Sequence, residues 1–156
     1  LERAMNTHEL VSGILDRIIA ETDADYAQVV AIHNGGGRIE ATTPLYMSIV
    51  AEEVRPGIER MRPDMQRVEV LPSYRRMVGW LLRDRLVFSP TNEIEDRTLS
   101  GILTLMSAHY AAAGLLRTSA KEVLLLRITT HNQEGFSQAE EIIVRQCIAG
   151  LKKCYN

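Results

Sequence analysis

The side chains able to do chemistry are few and scattered. His8, His33, His109 and His131 are spread over 156 residues with no HxxxH or HExxH spacing. No metal site is therefore built from sequence neighbours, because two ligands on one helix face need a separation of three or four. His33 and His131 each follow a predicted strand and could meet in space; the plainer reading is two exposed loop histidines. No serine lies in a GxSxG elbow and no cysteine has a local base partner. Cys147 and Cys154 lie seven residues apart on one predicted helix. That is roughly 10 Å along the axis, too far for a disulfide. They read as packing thiols rather than redox centres. No enzyme is expected.

Two other features could bind rather than react. Arg75, Arg76 and Arg83 stand near Tyr74 and Trp80, and guanidinium groups offer paired donors to carboxylate or phosphate. The alternative is a solvated helix face, which we favour for the arginines; Trp80, one position off its helix's apolar stripe, either lines a pocket or simply packs. The run Asn34-Gly35-Gly36-Gly37 reads as a hairpin turn, since glycine tolerates positive φ. A phosphate cradle would need a helix N-terminus next, and the strand-like RIEAT follows instead.

Composition excludes several classes. A hydrophobic fraction of 46% and a mean hydropathy of -0.09 are those of a globular domain of ordinary size. No window approaches the roughly 18 apolar residues of a membrane helix, and no signal peptide opens the chain. A cytoplasmic location is the default. A net charge of -2 offers no field for nucleic acid, although the segment from Arg55 to Arg85 carries eight arginines against four acids. The first residue is Leu1, so a piece of a longer protein is expected, with residues 1–7 as upstream linker.

These side chains must be positioned by a mixed set of elements. Val11, Ile14, Leu15 and Ile18 mark an amphipathic helix, with Asn6 or Thr7 as N-cap. YAQVVAIH and RIEAT read as two strands. Pro44 to Met61 reads as helical, from Met47, Val50, Val54, Ile58 and Met61, with a kink at Pro56. VEVL is a short strand. Ser73 caps a helix bearing Met77, Val78 and Leu81. LVFS is a short apolar run. Asn92 and Glu95 begin a capping-box-like start to a helix bearing Leu99, Ile102, Leu103 and Met106. GLLRTS and VLLLRITT are strands. Ser137-x-x-Glu140 then caps a last amphipathic helix carrying Ile143, Val144, Cys147, Ile148 and Leu151. The order gives an α+β domain with a mainly antiparallel sheet and long helices at both ends.

The stretch GLLRTSAKEVLLLRITTHNQEGFSQAEEIIVRQCIAGL resembles the C-terminal half of a GAF domain. There, two strands lead through a polar loop to Phe-Ser-x-x-Glu and a terminal helix. The first helix and YAQVVAIHNGGGRIEAT are similar to that family's opening. About two thirds of the chain is covered; residues 44–110 match poorly and are expected to build a variable pocket. The resemblance implies one GAF-like (profilin/PAS-like) domain over residues 1–156. Its central antiparallel sheet of about five to six strands would carry the terminal helices on one face and the middle helices on the other. Cyclic-nucleotide-binding members carry an Asn-Lys…Phe-x-x-x-Asp-Glu signature. Here Gln133 follows Asn132 and Glu140-Glu141 follow Phe136, which argues against such a ligand. Bilin attachment and methionine sulfoxide reduction need pocket cysteines, and Cys147 and Cys154 lie elsewhere in the pattern.

The resemblance thus implies a small-molecule-sensing regulatory domain that signals through its terminal helices. No cofactor is expected. The ligand is unidentified, and the expected ligand set is Tyr74, Arg76, Trp80, Arg83, Met106, His109 and Tyr110. An output domain is expected alongside: a histidine kinase, a diguanylate cyclase or an HD-type phosphohydrolase. The stripe of the last helix is broad for one interface, so a homodimer is expected through Val11, Leu15, Ile143, Cys147 and Leu151, where an oxidised Cys147 or Cys154 could cross-link the two-fold axis. Neither nucleic acid nor membrane is an expected partner. The competing reading is a roadblock-like or degenerate GAF scaffold that binds proteins and lacks an enclosed pocket.

Overall fold

A computed structural model describes residues 2–35, 37–39, 44–70, 74–95 and 97–156, with backbone alone for residues 2–5, 74, 84 and 98. The elements in chain order are α1 (Glu2–Glu21), β1 (Tyr26–His33), β2 (Leu45–Val54), β3 (Val68–Val70), α2 (Tyr74–Asp84), β4 (Leu86–Pro90), α3 (Arg97–Leu105), β5 (Tyr110–Thr118), β6 (Glu122–Thr130) and α4 (Gln138–Tyr155). Short 3-10 turns lie at Arg62–Asp64 and Thr91–Glu93. The six strands form one antiparallel sheet in the order β3-β2-β1-β6-β5-β4.

The sheet divides two hydrophobic clusters. On one face α1 and α4 bury Val11, Leu15, Ile18, Val144, Cys147 and Leu151 against Ala27, Val29, Leu124 and Leu126. On the other, α2 and α3 bury Leu81, Leu99 and Leu103 against Val30, Ile32, Met47 and Leu125. β1 is buried along all but its last residue, which is why YAQVVAIH lacks the polar alternation of a half-exposed strand. The three-layered arrangement is the one expected, with terminal helices on one face of the sheet and middle helices on the other.

The terminal helices pack antiparallel, with Arg17 Nη2 donating to Gln146 Oε1 at 2.8 Å. Gly150 lets them approach: a Cβ there would lie 3.2 Å from Ile14 Cδ1. α4 starts with the expected capping box. Ser137 Oγ accepts from the Glu140 amide, and Glu140 Oε1 accepts from the Ser137 amide at 2.9 Å. α1 begins upstream of Asn6 and Thr7, which lie inside it and do not cap it.

Three expectations need correction. Residues 45–54, expected as a helix, form β2. A bulge explains the misleading pattern: Val29 pairs with Ala51 and Val30 with Ile49, leaving Val50 as the extra residue. The extra residue breaks the two-residue alternation, so Met47, Val50 and Val54 acquire a helix-like spacing. Asn92 sits inside a 3-10 turn and α3 starts at Arg97. Of RIEAT, Arg38 and Ile39 are irregular and the rest lies outside the described residues. LVFS, by contrast, becomes edge strand β4.

Candidate functional site

Between the sheet and the middle helices lies a cavity of about 370 Å³. α2 supplies Arg76 and Trp80, β5 supplies Ala111 and Ala113, and β6 supplies Leu125 and Arg127. The cavity has a clear sequence cause. Alternation along β5 points Ala111 and Ala113 toward α2 and α3, and alanine leaves room where a leucine would fill the layer. The residues 93–95 after β4 complete the rim, with Glu93 and Glu95 exposed there.

The one charged side chain buried in the cavity wall, among the described residues, is Arg127, only 4% exposed. Its Nε donates to Gln28 Oε1 at 2.9 Å, and its Nη1 contacts Met47 Sδ at 3.5 Å. Gln28 Nε2 donates to Glu52 Oε2 at 2.7 Å. Glu52, itself 4% exposed, also accepts from the amides of Met61 and Arg62 at 3.0 Å. Every step of this chain offsets the cost of burying a polar group.

The expected ligand set divides. Arg76 and Trp80 line the cavity. Tyr74 opens α2, and its side chain lies outside the described residues. Arg83 is exposed and absent from the lining. Met106 is core, 4% exposed. His109 is exposed. Tyr110 packs edge-on against Phe136, ring centroids 6.1 Å apart, on the loop leading into α4. The cavity residues that periodicity passed over are Arg127 and the alanines. A single charge inside LLLRITT was the available signal.

Of the expected dimer contacts, Val11, Leu15, Cys147 and Leu151 are at most 2% exposed within the chain. They pack within the chain between the terminal helices and the sheet, and Ile143, half-buried, packs against the same cluster. Burial pushes the Cys147 thiol pKa up, so its nucleophilic form is suppressed. Both cysteines are free and lie on the α1/α4 face, away from the cavity.

His33 and His131 do not meet: they stand at opposite ends of the sheet, with Tyr26 opposite Thr129 and His33 opposite Glu122. His33 Nδ1 accepts from the Gly35 amide at 3.0 Å, which puts the proton of the neutral ring on Nε2. Nε2 then donates to Ser48 Oγ at 3.0 Å. In this tautomer the ring cannot take a proton from Ser48, so the pair is no nucleophile dyad. A wider groove of about 570 Å³ opens beside it. The glycine run turns at Gly35, φ 92°, and leads to irregular chain at residues 37–39 rather than a helix.

At the opposite end, Asp25 gathers neighbours. His131 donates from its amide and from Nδ1 to Asp25 Oδ2 at 2.9 and 2.8 Å, and Arg55 Nε reaches Oδ1 at 3.2 Å. The hydrogen bond to Asp25 is the main cause raising the His131 pKa. Asn132 donates to Asp23 at 3.0 Å, so the polar loop ties α1 to α4 rather than lining the cavity. Among the described residues no cluster of three or more metal-ligating side chains forms, and no helix is long and apolar enough to cross a membrane.

No family model and no curated protein matches this sequence. Solved structures do match in shape. The chain is similar to a GAF domain/HD domain protein from Geobacter sulfurreducens, at 12% identity and a TM-score of 0.66, covering 95% of this chain and 90% of that one. It is similar to the GAF domain of a two-component sensor histidine kinase from Bacillus halodurans, at 14% identity and 0.62, covering 94% and 90%. It is also similar to the PixJ GAF domain of Thermosynechococcus elongatus in its blue-light-absorbing form, at 14% and 0.65, covering 99% and 85%. Sheet order, helix placement and these likenesses agree: the chain has the GAF-domain fold.

Proposed function

We propose that this chain is a small-molecule-sensing regulatory domain of a longer signalling protein. The cavity under α2 and α3 is the ligand site, and the α1/α4 pair passes the ligand state onward. The observation that carries the reading is the cavity, which lies on the sheet face opposite the terminal helices. Its 370 Å³ falls within the range of small-molecule pockets, whereas a protein-binding scaffold would fill that layer. The similar structures include GAF domains of an HD-domain protein and of a sensor histidine kinase. Such an output domain, or a diguanylate cyclase, is the attachment we propose, in the cytoplasm.

The mechanism is a population shift. A ligand that binds one placement of α2 and α3 better biases that state and whatever the terminal helices contact. A homodimer belongs to the same reading. With the inner stripe occupied, its contacts fall to Leu10 and Ile142, 61% and 57% exposed on the outer faces of α1 and α4.

The test is native mass spectrometry of freshly purified protein, followed by thermal-shift screening with nucleotides, small carboxylates and small neutral aromatics. A co-purified mass or a saturable rise in melting temperature is expected. Neither appearing would move the chain to the scaffold reading.

A further inference from the structure

We propose that the cavity takes a small uncharged ligand with an aromatic body, which lies over the β5 alanines beside Trp80. This rests on the reading of the cavity as a ligand site and names its ligand class.

The deep wall of the cavity is hydrocarbon. Leu81, Leu103 and Leu125 are at most 1% exposed and line it together with Ala111 and Ala113. None of these side chains offers a hydrogen bond, so the buried part of a ligand gains from area removed from water and from close packing. Arg127 is the one buried charge in the wall among the described residues, and its own chain engages it. Its Nε donates to Gln28 Oε1 and its Nη1 contacts Met47 Sδ. Glu52 holds the Gln28 amide in that orientation and is itself fixed by the amides of Met61 and Arg62.

Charge on a ligand is therefore costly here. A carboxylate would shed its water and would have to compete with the contacts that Arg127 already makes. An ammonium would shed its water and meet that same cation. The acids of the lining, Glu93 and Glu95, are exposed at the rim with Arg76, where water and salt screen them. With both signs present there, the rim selects neither ion. An uncharged ring avoids both costs. Its electron-rich face tolerates a cation in the wall, and it can pack on the indole of Trp80. Trp80 is 47% exposed, so a ring placed against it covers apolar surface that water otherwise meets. The volume, near the lower end for ligand pockets, suits one or two rings.

Ethylbenzene, phenylacetate and phenethylamine share one ring and a two-carbon side chain and differ in charge. Trp80 is the only tryptophan and lines the cavity, so its fluorescence reports binding directly. Wild-type protein is titrated with each compound at neutral pH, ethylbenzene up to its solubility limit, with thermal melting in parallel. We expect ethylbenzene to bind at least ~10-fold more tightly than either ion, with less than about a twofold change between low and high salt. A113L weakens ethylbenzene at least ~10-fold while its melting stays cooperative, and the wild-type ranking tests the claim without any variant. An ion that binds wild type as tightly as ethylbenzene, and A113L more weakly, overturns the uncharged assignment and leaves the ligand site standing. Ethylbenzene bound equally by wild type and A113L overturns its placement in the cavity. No saturable binding by any of the three overturns the assignment and counts against the site itself.

Discussion

Gly114 has no room for a methyl group. A Cβ there would lie 2.5 Å from Ile148 Cδ1 and 3.2 Å from its Cγ1, where β5 passes under α4. Gly114→Ala is expected to cost about 1–3 kcal/mol through overpacking, read from urea denaturation. Adding I148V, which removes the nearest carbon, should recover part of it non-additively. A second prediction concerns His131. Its pKa is raised in the folded state above the ordinary 6.5, first by the hydrogen bond to Asp25 and then by the charges of Asp25 and Asp23, with Arg55 opposing. The sign follows from linkage: a raised base gives stability that is complete below its unfolded pKa and is lost as pH rises through the folded one. The denaturation midpoint should fall from about pH 6 to pH 8, and H131Q should flatten that slope; an unchanged slope would contradict the assignment. Residues of this kind were only partly legible in the sequence. Trp80 and Arg76 sit on a helix whose stripe is plain, so their place beside the cavity could be inferred. Arg127 sits in a strand buried on both faces, where periodicity says nothing of which charge faces which layer.

The elements turn on how α4 starts. Glu140 closes the capping box on Ser137 and, with its other oxygen, accepts the Asp23 amide in the turn after α1. One carboxylate thus serves the beginning of α4 and the end of α1. Ser137→Ala should cost about 1 kcal/mol, as a lost N-cap does. E140A should cost roughly twice that, since two donors lose their acceptor; equal costs would mean that the link to Asp23 contributes nothing. The Ser-x-x-Glu box was readable because its geometry is local. The link to Asp23 was not, because 117 residues separate the partners. β2 was the larger misreading. A bulge at Val50 moves two consecutive side chains, Val50 and Ala51, toward the α1/α4 face, and no rule of fixed period survives such a shift.

For the whole molecule, the sheet separates the cavity layer from the terminal-helix layer, the two parts to which the proposed function gives sensing and transmission. Leu10 and Ile142 remain exposed on the terminal helices, while Val11, Leu15, Cys147 and Leu151 are buried beneath them. The broad stripe of α4 packs within the chain against two neighbours, the sheet and the other terminal helix. Sedimentation should find a wild-type dimer that L10E or I142E weakens at least ~10-fold with melting unchanged; a wild-type monomer at high concentration would contradict the dimer. The central claim is the ligand cavity, and it depends on the small residues of β5. Ala113→Leu puts a side chain into that space, with stability changed by about 1 kcal/mol or less because the added atoms enter a void. Native mass spectrometry and thermal shift on wild type and A113L, purified side by side, give the most direct test. The wild type should carry a small molecule or gain a saturable thermal shift from a small ligand, and A113L should lose both while staying folded. Equal ligand binding by the two proteins, or none by either, would contradict the account.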